Sequence, residues 1–189
     1  PKEGTILDAG CGSGLASRFI NEILPKVKMY GCDLSEERLK FAISSTPKTK
    51  FFCTELTELT KTREAIKIPK FNFIFNRYVA HHMNQATYQK VLQEFYDNLT
   101  EQGAIGIVDI DGVLVNLGTI NKKLQEQLSL IQNHFSGDLF MARKIPNLLR
   151  EVGFKDINYH IETVQFDGDE KTKEIAQYEQ RIDYGKDLY

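Results

Sequence analysis

The sequence of 189 residues predicts an α/β fold, a three-layer sandwich built on a mainly parallel, doubly wound sheet. Three observations lead there. Short apolar runs alternate with amphipathic stretches along most of the chain. The run 104–110 is almost wholly apolar, as expected of a strand covered on both faces. A glycine-rich segment, 10–14, falls between the first apolar run and the first amphipathic one, where a strand would turn into a helix.

Taken in order, Thr5 to Ala9 reads as a buried strand. Leu15, Phe19, Ile20, Ile23 and Leu24 then share one helical face until Pro25 stops the helix. Val27 to Cys32 is a second strand ending at Asp33. Ser35 is placed to cap the next helix, with Glu36 and Glu37 in its first turn where the dipole favours anions. Phe51 to Thr54 is a short third strand ending at Glu55, and Phe71 to Phe75 a fourth ending at Asn76. The three- and four-residue steps of Tyr88, Val91, Leu92, Phe95 and Leu99 predict a helix, with Gly103 as its terminal left-handed residue. Ala104 to Ile110 is the fifth strand. Beyond it the reading is an amphipathic helix over Thr119 to Phe135, a helix from about Ile145 to Val152 ended by Gly153, and a strand from Ile157 to Phe166. Lys171 to Tyr189 is charged and loosely helical, without a core stripe.

Composition narrows the function classes. Hydrophobic residues make up 41% and charged residues 26%, ordinary for a globular domain. A net charge of −2 gives no electrostatic reason to expect a nucleic-acid or membrane-surface partner. No apolar run approaches the roughly 20 residues that cross a bilayer, and the first residues carry no signal-peptide pattern. Cys11, Cys32 and Cys53 form no CxxC pair, so a zinc site or disulfide framework is not expected; the expectation is small buried fillers in a reduced, cytoplasmic compartment. One domain, 1–189, is expected. The near absence of residues before the first core strand suggests a fragment of a longer protein, short of an N-terminal segment; at the C-terminal end, truncation and a weakly encoded last strand both stay open.

The chemistry sits in Thr5-Ile-Leu-Asp-Ala-Gly-Cys-Gly-Ser-Gly14. Gly10, Gly12 and Gly14 remove side chains where a ligand could lie against backbone. The dinucleotide fingerprint GxGxxG would need glycine at 15, where Leu15 stands, and no lysine follows to make a P-loop. About 20 residues further on, Asp33 could accept hydrogen bonds from both hydroxyls of a ribose. Glu55 offers another acceptor and Leu56 an apolar wall for a base. Singly these are a plain tight turn and surface acids; in a parallel sheet they line up along one carboxyl edge, the usual ligand site.

These stretches, with GCDLSEERLKFA, FNFIFNRYVAHHM, EQGAIGIVDID and LLREVGF, resemble the class I S-adenosylmethionine-dependent methyltransferases, in particular the group with small-molecule acceptors. The resemblance implies a Rossmann-like sheet and S-adenosylmethionine as cofactor; no metal is expected. It implies that Asp8, Gly10, Gly12 and Gly14, with Cys11 in the same loop, surround the methionine part. Asp33 would hold the ribose, Leu34 flank the adenine, Glu55 meet the adenine amine, and Asn76 contribute backbone near the methionine. The family more often carries aspartate where Glu55 stands. Its sheet also ends with an antiparallel strand beside the fifth, for which no segment after Phe166 is a candidate.

Methyl transfer from a sulfonium is an in-line displacement with an activated leaving group, so alignment and exclusion of water are the main tasks. Should the acceptor need deprotonation, Tyr78, His81 and His82 after the fourth strand are the candidates; a histidine base suits neutral pH. Structural packing of the His-His pair is the competing reading. Residues 113–144 form a candidate cover of the acceptor pocket, against ordinary core packing or a subunit contact. Arg143 and Lys144 read as solvated surface charges rather than partners of an acidic acceptor. A cofactor-binding but catalytically silent subunit would carry the same loop, and a nicotinamide-dependent oxidoreductase is disfavoured by Leu15 and Glu55. The acceptor and the oligomeric state are left unassigned.

Overall fold

Five parallel strands form one sheet in the order β3-β2-β1-β4-β5 in the computed structural model, which describes residues 3–112 and 135–162 together with positions 122, 126, 129, 130 and 169. The strands are β1 (Gly4–Ala9), β2 (Val27–Asp33), β3 (Lys50–Cys53), β4 (Phe71–Arg77) and β5 (Leu99–Val108). Helices α1 (Leu15–Ile23), α2 (Glu36–Ser45), α3 (Leu59–Ala65), α4 (Gln85–Asn98) and α5 (Met141–Val152) connect or flank them. Crossovers through α1 and α2 step outward from β1 in one direction, and α4 steps outward from β4 in the other. With right-handed crossovers, that reversal puts the two sets of helices on opposite faces. It also opens a crevice between the carboxyl ends of β1 and β4.

Register brings those carboxyl ends level. Ala9 pairs with Cys32 on one side and Asn76 on the other, Asp33 pairs with Cys53, and Arg77 with Val108. The main core lies under α4 and α5, where Tyr88, Val91, Leu92 and Phe95 are fully buried against Leu7, Phe71 and Ile74. Each such side chain contributes about 1.5–3 kcal/mol relative to exposure. Local signals agree with the ends. Ser35 Oγ accepts the Arg38 amide at 3.2 Å and Asn84 Oδ1 the Thr87 amide at 2.9 Å, capping α2 and α4. Gly153, at φ 111°, closes α5. Buried Arg63 of α3 donates from Nε to Asn98 Oδ1 of α4 at 2.5 Å, and Glu94 accepts the Thr60 amide, pinning these helices together.

Several expectations change. Gly103 does not end α4: the helix stops at Asn98, Leu99 is already extended (φ −80°, ψ 148°), and β5 starts there. Glycine at 103 answers crowding instead, since a Cβ would lie 2.9 Å from both Leu99 Cδ2 and the Thr100 carbonyl, near the register shift between Phe71 and Phe73. Strand β5 ends at Val108 rather than Ile110. Helix α5 begins at Met141, before Pro146, because Met141 is fully buried and its amide donates to the Asp138 carbonyl. The apolar stripe of α1 is only half used. Ile20 and Leu24 pack on Ile6, Val27 and Met29, whereas Leu15 and Phe19, with Phe73, Phe75, Ile107 and Val108, line a cleft of about 500 Å³.

The chain divides into two compact units, Pro1–Ile157 and Asn158–Tyr189. The site described below lies in the first. In the second, residues 158–162 form no strand, against the expected strand 157–166, whose last four positions lie outside the described residues. The loosely helical segment 171–189 and most of the candidate cover 113–144 lie outside them as well. No strand antiparallel to β5 occurs among the described residues, and none of their helices is long and apolar enough to cross a membrane.

Candidate functional site

The glycine turn after β1 is shaped by backbone that other residues resist. Gly10, Gly12 and Gly14 have φ of 76°, 54° and 82°. The amides of Gly10 and Cys11 both donate to the Cys32 carbonyl, at 2.8 and 2.9 Å, and tie the turn to the end of β2. A Cβ on Gly10 would overlap Val79 Cγ2, whereas one on Gly12 would meet nothing within 4 Å. The turn is thus closed against the chain that follows β4 and open at its centre.

Asp33 is the hinge of this edge. Its Oδ2 accepts the Gly12 amide at 2.8 Å and its Oδ1 the Ser35 amide at 2.9 Å. A carboxylate has about four lone-pair sites, so capacity for a diol remains. The Asp33 carbonyl also accepts the Thr54 amide at 3.1 Å, joining the end of β3. Leu34 beside it is 66% exposed. Glu55 is exposed, with Thr57 Oγ1 donating to it at 3.4 Å, while Leu56 turns into the core. Asn76 is fully buried: its Nδ2 donates to the Ala9 carbonyl at 2.7 Å and its Oδ1 accepts from Tyr88 Oη at 2.9 Å. The Asn76 side chain therefore braces β1 against β4 and α4.

Asp8, 2% exposed, lies beneath the turn and accepts from Ser17 Oγ at 2.7 Å. Burial pushes its carboxyl up to about 6, opposed by the Ser17 hydrogen bonds and by the charge of Arg77. Cys11 and Cys32 are buried, and burial raises both thiols well above their ordinary range. Cys53 departs from the expected buried filler: it is exposed, its Sγ 3.4 Å from the Leu34 carbonyl, because β3 is the edge strand.

A second group forms where β4 and β5 end. Tyr78 has φ 58°, a left-handed turn that redirects the chain, and its ring lies under the Arg77 guanidinium at 4.1 Å. A single turn, Ala80–His82, follows. The rings of His81 and His82 are 4.0 Å apart, and Phe135 stacks on His81 at 6.3 Å with planes 13° apart. Burial and the neighbouring His81 lower the basicity of His82. His81 Nδ1 lies 2.6 Å from Asp109 Oδ1. Arg143 is engaged rather than merely solvated, forking onto Asp111 with Nη2 at 2.7 Å, and Lys144 pairs with Asp138. Asp109, Phe135 and Val79 are the participants sequence reasoning missed. Only Asp109 carried a signal, an acid ending an apolar strand, as Asp33 does.

Sheet order and level carboxyl ends define a doubly wound α/β protein whose strand order reverses between β1 and β4, beside the open glycine turn. Residues 6–103, more than half of the chain, match the family described as the methyltransferase domain, and the chain belongs to that family. No curated protein matches it. Among solved structures, it is similar to the plantazolicin methyltransferase BamL in complex with a triazolic desmethylPZN analog and SAH, at 20% identity and TM-score 0.61, over 79% of this chain and 53% of that one. It is likewise similar to human N-acetylserotonin methyltransferase in complex with SAM, at 18% identity and TM-score 0.60, over 83% and 44%. A third is Haemonchus contortus phosphoethanolamine N-methyltransferase 2 in complex with S-adenosyl-L-methionine, at 21% and 0.60, over 97% and 39%. At these identities the likeness speaks to the fold. The chain spans about half the length, or less, of the solved structures it matches.

Proposed function

We propose that the chain is an S-adenosylmethionine-dependent methyltransferase acting on a small molecule by in-line displacement. The observation that carries this is the open turn at Gly12, whose amide is held by Asp33. Backbone there can approach a nucleoside closely, and the remaining lone pairs of Asp33 suit both ribose hydroxyls. In this reading Asp8, Gly10, Cys11, Gly12 and Gly14 surround the methionine part, with Asn76 lending backbone. Leu34 flanks the adenine, and Glu55, with Leu56 behind it, faces the adenine amine. Bound there, the cofactor supplies an electrophilic methyl group. The residues hold it, exclude water and, from Tyr78, His81 or His82, receive a proton. Relatives named for N-acetylserotonin and phosphoethanolamine support a small-molecule acceptor.

Titration calorimetry with S-adenosylmethionine, S-adenosylhomocysteine and NAD tests the cofactor. Asp33→Ala should weaken binding of both sulfur compounds about 5- to 150-fold, that is by about 1–3 kcal/mol for a charge-assisted acceptor. Unchanged affinity in a folded variant would refute the ribose assignment, and binding of NAD alone would refute the cofactor. Formation of S-adenosylhomocysteine in the presence of acceptors separates an enzyme from a silent binding subunit.

A further inference from the structure

Asp109 is the first residue after β5, and its side chain is 1% exposed. Its Oδ2 accepts the Ala80 amide at 2.7 Å and its Oδ1 the Ile110 amide at 2.7 Å. These bonds alone would latch the turn after β4 to the turn after β5. The contact to the His81 ring does something more. An ionised carboxylate only accepts, so the proton between Asp109 Oδ1 and His81 Nδ1 belongs to the ring nitrogen, and the lone pair of a neutral ring lies on Nε2. The ring has little freedom to turn. It is 12% exposed, stacked on Phe135 and in contact with His82. The backbone around it is fixed too: the Asp138 amide donates to the His81 carbonyl at 2.9 Å, and a Cβ on Gly137 would overlap that carbonyl. One tautomer and one ring plane are thus imposed at the carboxyl edge beside Val79, which touches the glycine turn.

We infer that Asp109 is the positioning residue of a His81–Asp109 pair, that His81 is the general base, and that the acceptor is a hydroxyl compound. The inference rests on the methyltransferase reading above. Thiolates and weakly basic amines attack a sulfonium without a base, whereas alcohols, most phenols and alkylammonium groups must first lose a proton. A held base fits a hydroxyl, whose proton leaves as the O–C bond forms, and an alkylamine is the competing acceptor that the test includes. In the step, the acceptor O–H bond breaks and its proton goes to His81 Nε2. The oxygen pair forms the O–CH3 bond while the S–CH3 bond breaks, its electron pair remaining on sulfur as S-adenosylhomocysteine. The imidazolium that results faces Asp109. His82, whose basicity is lowered by burial and then by His81, is a further titratable neighbour of the ring, and the charge of Arg38 on α2 lowers it too.

The test uses nitrogen-15 NMR of the imidazoles, with His81→Gln to assign one of the four histidines. Wild type should show His81 protonated at Nδ1, and Asp109→Asn should populate the Nε2–H form. In parallel, transfer from S-adenosylmethionine to a panel of phenols and alcohols led by catechol, with 2-phenylethylamine as the amine control, is followed against pH. Asp109→Asn should lower kcat about 10²- to 10⁴-fold, with S-adenosylhomocysteine affinity within twofold of wild type. His81→Ala, which does not depend on a folded Asp109 variant, should regain turnover when imidazole is added. An Nε2–H ring in wild type, a loss under tenfold with an unchanged pH profile, or no imidazole rescue would overturn the pairing. Methylation of the amine but of no hydroxyl would overturn the acceptor class. A wild type that binds S-adenosylhomocysteine yet methylates neither overturns this inference alone, and one that binds neither sulfur compound overturns the reading beneath it.

Discussion

Gly10→Ala tests how the two halves of the site are joined. At φ 76° an alanine pays about 1–2 kcal/mol for the left-handed conformation. Its Cβ would also overlap Val79 Cγ2, and Val79 is a stiff, branched side chain packed against the main core. Overpacking of that kind costs a further 1–3 kcal/mol or so, making about 2–5 kcal/mol in total, against the roughly 5–15 kcal/mol that holds a domain together. The two parts can be separated. Val79→Ala removes the overlapping methyl at a cost of about 1 kcal/mol for a half-buried side chain. The double variant should therefore be more stable than the summed single costs by about 1–3 kcal/mol, the strain at φ persisting. Urea unfolding followed by far-ultraviolet circular dichroism measures this, since the chain has no tryptophan to report by fluorescence. A coupling below about 0.5 kcal/mol, the usual error of additivity, would show that Gly10 and Val79 do not meet, and that the glycine turn is not seated on the chain leading to His81.

Two further outcomes follow from buried groups. The Asp8 carboxyl is raised from 3.8 to about 6 in the folded protein, so between those values the native state keeps a proton the unfolded chain has lost. Stability should then fall as pH rises through that window, by up to about 3 kcal/mol for two units of displacement; urea titrations across it should show Asp8→Asn free of this slope, and equal slopes would discount the burial argument. Tyr88→Phe strands Asn76 Oδ1 in a fully buried position. It should cost about 1–3 kcal/mol, visible as a Tm lower by about 2–4 °C per kcal/mol; an unchanged Tm would mean that this hydrogen bond does not brace β1 against β4.

The sequence by itself determined the alternation of strands and helices, the glycine turn, and the acids Asp33 and Glu55 at the ends of the second and third strands, because these depend on local spacing. Period-two and period-3.6 patterns, caps such as Ser35, and glycines that must adopt positive φ are written in neighbouring residues. Where the chain's local signals conflicted with packing, packing won. Gly103 looks like a helix stop but sits in β5, where Leu99 and Thr100 crowd it, and the helix expected from about Ile145 begins at buried Met141, with Pro146 inside it. Only the tertiary structure decided that Asp109, 28 residues from His81, meets its ring, or that Val79 closes the turn at Gly10. Such pairings arise from strand order, which brings the ends of β1, β4 and β5 together, and no local pattern in a single sequence encodes which strand ends become neighbours.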